Sequence, residues 1–169
     1  MTKLKDSQGQ DFEPASVDIH DAVCCEFQHI GMQDTPFGPK DKGMLVFQVA
    51  ELDENGKRKE VSLYFTMTWG TEKMPSLIRK VIEKWRGAAM SDADRENFEL
   101  ESLVGKPCRL DVVQKESQKT GRVRAHIDSI LRPGETKLTP LDYIPRAERQ
   151  NAKGTNDKAG ATKDPEVPW

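Results

Sequence analysis

Three cysteines (Cys24, Cys25 and Cys108) and three histidines are the strongest candidate metal ligands in this 169-residue chain. Their spacing argues against a site. No CxxC pair occurs and the histidines are scattered, so zinc is not expected. The cysteines read instead as small buried apolar residues. No nucleophile–base pair and no phosphate-cradling glycine loop is visible either, so neither catalysis nor a cofactor is expected. What the chain does offer is aromatic side chains beside cations. Phe37 is followed by Lys40 and Lys42, Tyr64 and Trp69 lie in one apolar stretch, and Arg109 precedes a basic run of Lys115, Lys119, Arg122 and Arg124 interrupted by Glu116. Such pairs suit single-stranded nucleic acid, where each stacked base contributes ~1–3 kcal/mol and Lys and Arg pair with phosphates. Each residue also has a plainer reading. Tyr64 can be a half-buried sheet residue, Phe37 a loop anchor, Trp69 either, and the 115–124 run a solvated hairpin.

The totals restrict where this chemistry can reside. The chain is 32% charged and 36% hydrophobic, so only part of it can enter a core, and one domain with tails is expected. A net charge of −2 gives no general attraction to nucleic acid. Local basic patches must supply it, because charge is screened within about 8–10 Å. No run of about 18 apolar residues suggests a membrane span. The N-terminal MTKLKDSQGQ lacks the apolar core of a secretory signal, so a cytoplasmic location is expected.

The positioning elements centre on residues 61–87. Val61, Leu63, Phe65 and Met67 alternate with polar residues, as in a strand with one face buried. From Met74 the period lengthens: Met74, Leu77, Ile78, Val81, Ile82 and Trp85 form one helical stripe. Lys73, Arg79, Lys80 and Lys84 fall on the opposite, solvated face, and Gly87 ends the helix. Before this stretch, residues 17–30 read as a strand, with Val23, Cys25 and Phe27 alternating with Cys24, Glu26 and Gln28. Residues 31–43, rich in glycine and proline, read as a long loop. Residues 44–52 form a second strand whose two faces are both largely apolar, as expected for a strand covered on both sides. Asp53–Lys57, with its Asn-Gly, is a hairpin turn. After Gly87, Ser91 caps a small helix. Residues 108–114 and 122–131 then form two more strands around a polar turn.

Three strands, a helix and two strands form the layout of a five-stranded OB-fold, a Greek-key barrel plugged by its helix. An unspecified antiparallel sheet with one helix is the alternative. The expected organisation is a flexible segment 1–15, the barrel over 16–134, an extended arm 135–146 and a disordered tail 147–169. In an OB-fold, ligands lie on the exposed face of strands two and three, between the loops joining strands one–two and four–five. That face and its walls bring in Phe37, Lys40, Lys42, Tyr64, Arg109 and the 115–124 run.

The segments FGPKDKGMLVFQVAEL, VSLYFTMTW, LIRKVIEKWRG, FELESLVGKPCRLDVV and LDYIPR resemble those of a bacteriophage and prophage family of OB-fold single-stranded DNA-binding proteins, from about Ala22 to Arg146. Ala88-Ala89-Met90 departs from it, where a more basic or aromatic segment is expected. The resemblance implies an accessory of phage replication or recombination that coats single strands. The last six residues are similar to the acidic tip of bacterial single-stranded DNA-binding proteins. Asp164, Glu166, Val167, Pro168 and Trp169 are therefore expected to dock a replication or recombination partner. A homo-oligomer is compatible with this reading. An OB-fold adaptor that binds protein and not DNA is the competing one.

Overall fold

The structure, a computed structural model, describes residues 13–149. Five strands pair antiparallel in the order β3-β2-β1-β4-β5: β1 (Asp18–Thr35), β2 (Gly38–Leu52), β3 (Arg58–Thr66), β4 (Pro107–Glu116) and β5 (Val123–Leu131). Between β3 and β4 lie α1 (Leu77–Arg86), α2 (Asp92–Asn97) and a 3-10 turn at Leu100–Leu103; α3 (Arg146–Arg149) follows β5. The order of three strands, helices and two strands is the expected one. Cα atoms of β3 and β5 come within 8 Å, and α1 packs against both strands.

One face of the sheet and the apolar stripe of α1 build a single core. Cys24, Leu45, Phe47, Val61, Leu63, Phe65, Leu110 and Val112 meet Ile78, Val81, Ile82 and Trp85 there. Trp85 is buried, as its stripe position predicts, and its indole Nε1 donates to the Pro107 carbonyl at 2.8 Å. Gly43 permits the close approach of β3, since a Cβ there would lie 2.9 Å from Cζ of Phe65. No helix among the described residues is long and apolar enough to cross a membrane.

Six local readings change. The glycine- and proline-rich segment 31–43 is not a loop: β1 and β2 stay paired from His29–Gly43 to Thr35–Gly38, with Pro36 and Phe37 alone forming the turn. Gly31 and Gly38 adopt φ of 98° and 102°, one at a register shift and one closing the turn, so their conformational freedom serves the hairpin. A second register shift between Cys24 and Glu26 breaks the expected alternation of β1. Cys24 therefore joins the core with Phe27 packed against it, and neither Val23 nor Cys25 does.

The α1 stripe starts later than its period suggests. Ser76 caps the helix by accepting from Arg79 N, and Met74, 75% exposed, belongs to a loop closed by a Gly70–Pro75 bridge. Leu77 is exposed as well. Arg79, expected in solvent, is buried between Glu83 and Glu72, each 3.2 Å away. At the ends of the domain, Ala15 is buried and its carbonyl accepts from Gln114 Nε2 at 2.8 Å, so the packed part begins before residue 16. Residues 146–149 form a helical turn instead of opening the tail. The rest of the expected flexible segment and tail, 1–12 and 150–169, lies outside the described residues.

Candidate nucleic-acid interface

Residues opposite each other on a ladder share a face of the sheet. Across β1, β2 and β3 the outer face, turned away from the core, is therefore a stack of rows: Val23–Gln48–Glu60, Glu26–Val46–Ser62, Gln28–Met44–Tyr64 and Gly31–Lys42–Thr66. The expectation treats this face as open. Half of it is not.

Residues 139–149 lie across the first two rows. Gln48 and Leu141 exchange two hydrogen bonds, Nε2 to the Leu141 carbonyl and Leu141 N to Oε1, both 2.9 Å. Arg58 Nη1 donates to the Thr139 carbonyl at 2.7 Å. The Tyr143 hydroxyl and Arg146 N both donate to Glu26 Oε1, and Gln28 Nε2 donates to Oε2 at 2.9 Å. Arg146 and Arg149 each pair with Glu60, at 3.2 and 2.9 Å, while the Arg149 guanidinium sits 5.2 Å from the Tyr143 ring centroid. Val23, Val46 and Cys25 are buried on this side of the sheet although they do not belong to the core cluster. This agrees with the reading of β2 as covered on both faces.

The electrostatics follow the burial. Burial works to raise the Glu26 carboxyl, but donation from Tyr143, Arg146 and Gln28 outweighs it and holds the group below the usual carboxylate range. Burial and the Glu26 contact push the Tyr143 hydroxyl well above the usual phenol range. Burial pushes the Cys25 thiol up to about 12, which leaves it unreactive.

Beyond the arm the face opens. Tyr64 is 57% exposed. In the next row Lys42 Nζ donates to Thr66 Oγ1 at 2.8 Å, and Lys40, paired with Gln33, follows on the same face. Phe37 sits at the tip of the β1–β2 hairpin. The remaining predicted residues lie elsewhere. Lys115 pairs with Arg124 across the β4–β5 hairpin, and Lys119 and Arg122 occupy its exposed turn. That hairpin is at the opposite end of β1 from Phe37, since Asp18 pairs with Val112 and Thr35 with Gly38. Arg109 lies between Asp21 and Leu131, its Nε donating to the Arg132 carbonyl at 2.9 Å. Trp69 is half-buried edge-on to Phe98, with ring centroids 6.0 Å apart. It lines a cleft of about 430 Å³ with Phe27, Phe65 and Ile78, rimmed by Glu99 and Glu101.

The predicted residues thus fall into an aromatic–basic stretch of Tyr64, Lys42 and Lys40, the hairpin tip at Phe37, a basic hairpin at the far end, and two separate positions, Arg109 and Trp69. Asp164, Glu166 and Val167–Trp169 lie outside the described residues. Sequence reasoning missed Gln48, Glu60, Tyr143, Arg146 and Arg149, which close half the face. One available signal was Glu26, a carboxylate within a strand otherwise destined for burial. Neither any protein-family model nor any curated protein compared with the chain matches it.

Proposed function

We propose that this chain binds single-stranded DNA without marked sequence preference, and that its five-stranded antiparallel sheet curls into an OB-fold barrel. The approach of β3 to β5, the place of α1 between strands three and four in chain order, and its packing against β3 and β5 support the barrel. The observation that carries the binding reading is Tyr64: an aromatic ring 57% exposed on the outer face of β3, with Lys42 and Lys40 following on the same face. Bases stack on the ring while phosphates run along the lysines, and the basic 115–124 hairpin provides a second phosphate contact. Tyr64, Lys42 and Lys40 are the core of the site. The biological setting is phage replication or recombination, with the tip at 164–169 recruiting a partner protein. The adaptor reading is favoured by a different observation, the aromatic cleft with its acidic rim, which suits a protein side chain better than a phosphate backbone.

Titration with an oligothymidine strand at low and high salt tests the proposal. Affinity falls steeply with salt, with log K changing by about −0.7 per log unit of salt for each phosphate neutralised. Salt-independent binding, or none at low salt, overturns it in favour of the adaptor.

A further inference from the structure

Two features are left over by the DNA reading, and they fit each other. The first is the end of the β1–β2 hairpin. The β2–β3 ladder stops at Lys42–Thr66, and β1 and β2 continue alone through Met32–Asp41, Gln33–Lys40, Asp34–Pro39 and Thr35–Gly38. A two-stranded ribbon is marginal in water by itself. This one is regular to its tip, where Thr35 Oγ1 accepts from Phe37 N at 3.1 Å and donates to the Gly38 carbonyl at 2.6 Å. The turn presents Phe37 with 86% of its surface exposed. Met44, in the Tyr64 row, and Gly38 lie six residues apart on β2, so roughly 20 Å separates the two aromatics, too far to hold neighbouring bases.

The second feature is the cleft walled by Phe27, Phe65, Trp69 and Phe98, with exposed Glu99 and Glu101 at its rim. Aromatic walls suit an aromatic ring, and the acidic rim disfavours phosphate. We infer that Phe37 of one copy of this chain seats in the cleft of the next, with Lys40 of the incoming ribbon against the Glu99–Glu101 rim. The ribbon's acidic residues, Asp34 and Asp41, pair with Pro39 and Met32 and so lie on the face opposite Lys40. A ribbon cannot reach its own cleft: His29, a cleft residue, is six residues before Thr35 on the same extended strand, again roughly 20 Å away. The aromatics at the two ends of the chain, Phe12 and Trp169, both lie beside acids, Asp11 and Glu13 in one case and Asp164 and Glu166 in the other, which the acidic rim repels. Used one way, from copy to copy, this knob-and-hole contact is heterologous and propagates, whereas a reciprocal exchange between two copies would close a dimer.

Sedimentation velocity on the full chain without DNA, from micromolar to millimolar concentration, tests this independently of the DNA reading. The wild type grows past the dimer as concentration rises. Phe37→Ala weakens association by about 30-fold, the loss of an aromatic anchor, and Glu101→Lys does likewise, while both keep the wild-type melting temperature. An equal mixture of the two variants forms a dimer and nothing larger, because each lacks a different half of the contact. Deleting Val167–Trp169 leaves assembly unchanged, and Phe37→Ala leaves affinity for a short oligothymidine unchanged. A wild type that stays monomeric or stops at a dimer overturns the inference, as does assembly that survives Phe37→Ala. Assembly abolished by the tail deletion makes the tail the occupant. Lost oligothymidine affinity with intact assembly makes Phe37 a stacking residue. A chain that assembles but does not bind DNA leaves the inference standing and removes the function proposed above.

Discussion

The outer face of β1–β3 has two halves built on the same three strands, and they differ in what their charges do. In the closed half, Glu26 and Glu60 are matched by Tyr143, Arg146 and Arg149 from the arm. In the open half, Lys42 and Lys40 follow the Tyr64 row along β2, and Lys42 bonds to Thr66 of the sheet itself and not to a described residue of the arm. Removing the arm would therefore uncover carboxylates and apolar side chains, not a wider cationic surface. The arm is a structural clasp, and under the proposed function it confines strand binding to the Tyr64 end.

The largest expected effect lies under the clasp. Glu26→Ala strands the Tyr143 hydroxyl and Arg146 N, and about 3 kcal/mol of stability is expected to go with the charge-assisted bonds. For a domain of this size that lowers the melting temperature by about 10 °C. Ser62→Ala, in the same row, stays within about 0.5 kcal/mol of wild type. A Glu26→Ala melt equal to that of Ser62→Ala would mean the arm does not clasp the sheet.

Tyr64→Ala should invert that pattern. Oligothymidine affinity falls by about 1–3 kcal/mol, with stability within about 0.5 kcal/mol of wild type. Lys42→Gln and Lys40→Gln each flatten the salt slope by about 0.7. If Tyr64→Ala melts the domain instead, the two halves do not divide structure from binding.

The contrast also marks what the sequence makes legible. The core rows of β2 and β3, the fourth strand and the buried Trp85 follow from apolar periodicity, because each is decided by burial of neighbours close in the chain. The two apolar faces of β2 predict a cover on both sides. They do not identify it, because the arm docks through Gln48, Tyr143, Arg146 and Arg149, polar residues that resemble solvated ones until Glu26 and Glu60 are seen beside them. The bulges of β1 are likewise invisible, since a single register shift reverses the faces of all residues after it. In the 31–43 ribbon, Gly31, Gly38 and Pro39 mimic loop composition while serving a bulge and a turn. The exposed position of Tyr64 is legible because β3 pairs with β2 without a register shift from Glu60 to Thr66.

A smaller effect separates the halves by pH. Glu26 titrates lower in the folded chain than unfolded, so its stabilisation is fully present above its unfolded value of about 4.3 and is lost as pH falls through the folded one. Tyr143 titrates higher when folded, so its stabilisation is present below the phenol value of about 10 and fades as pH rises above it. Glu60, Arg58, Arg146 and Arg149 face the same contact. Hydrogen exchange at the Leu141 and Arg146 amides, which donate to Gln48 and Glu26, reads the clasp directly. Protection should hold between these limits and drop outside them, with the β2–β3 ladder amides of the Tyr64 row holding longer. Equal loss in both places would mean the arm and sheet open as one unit.

The smallest effect concerns the tail. Deleting Val167–Trp169 removes the aromatic proposed to dock a partner while leaving Asp164 and Glu166, so oligothymidine affinity should stay within about 0.5 kcal/mol of wild type. Deleting 164–169 removes the acids as well. If they compete with phosphates for Lys42, Lys40 and the 115–124 hairpin, affinity rises at low salt and the gain disappears at high salt, because exposed charges are screened. A gain that persists at high salt would place the tip in the Tyr64 half by packing and not by charge. A fall with either deletion would make the tail part of the DNA site, and the open half would then end beyond the sheet.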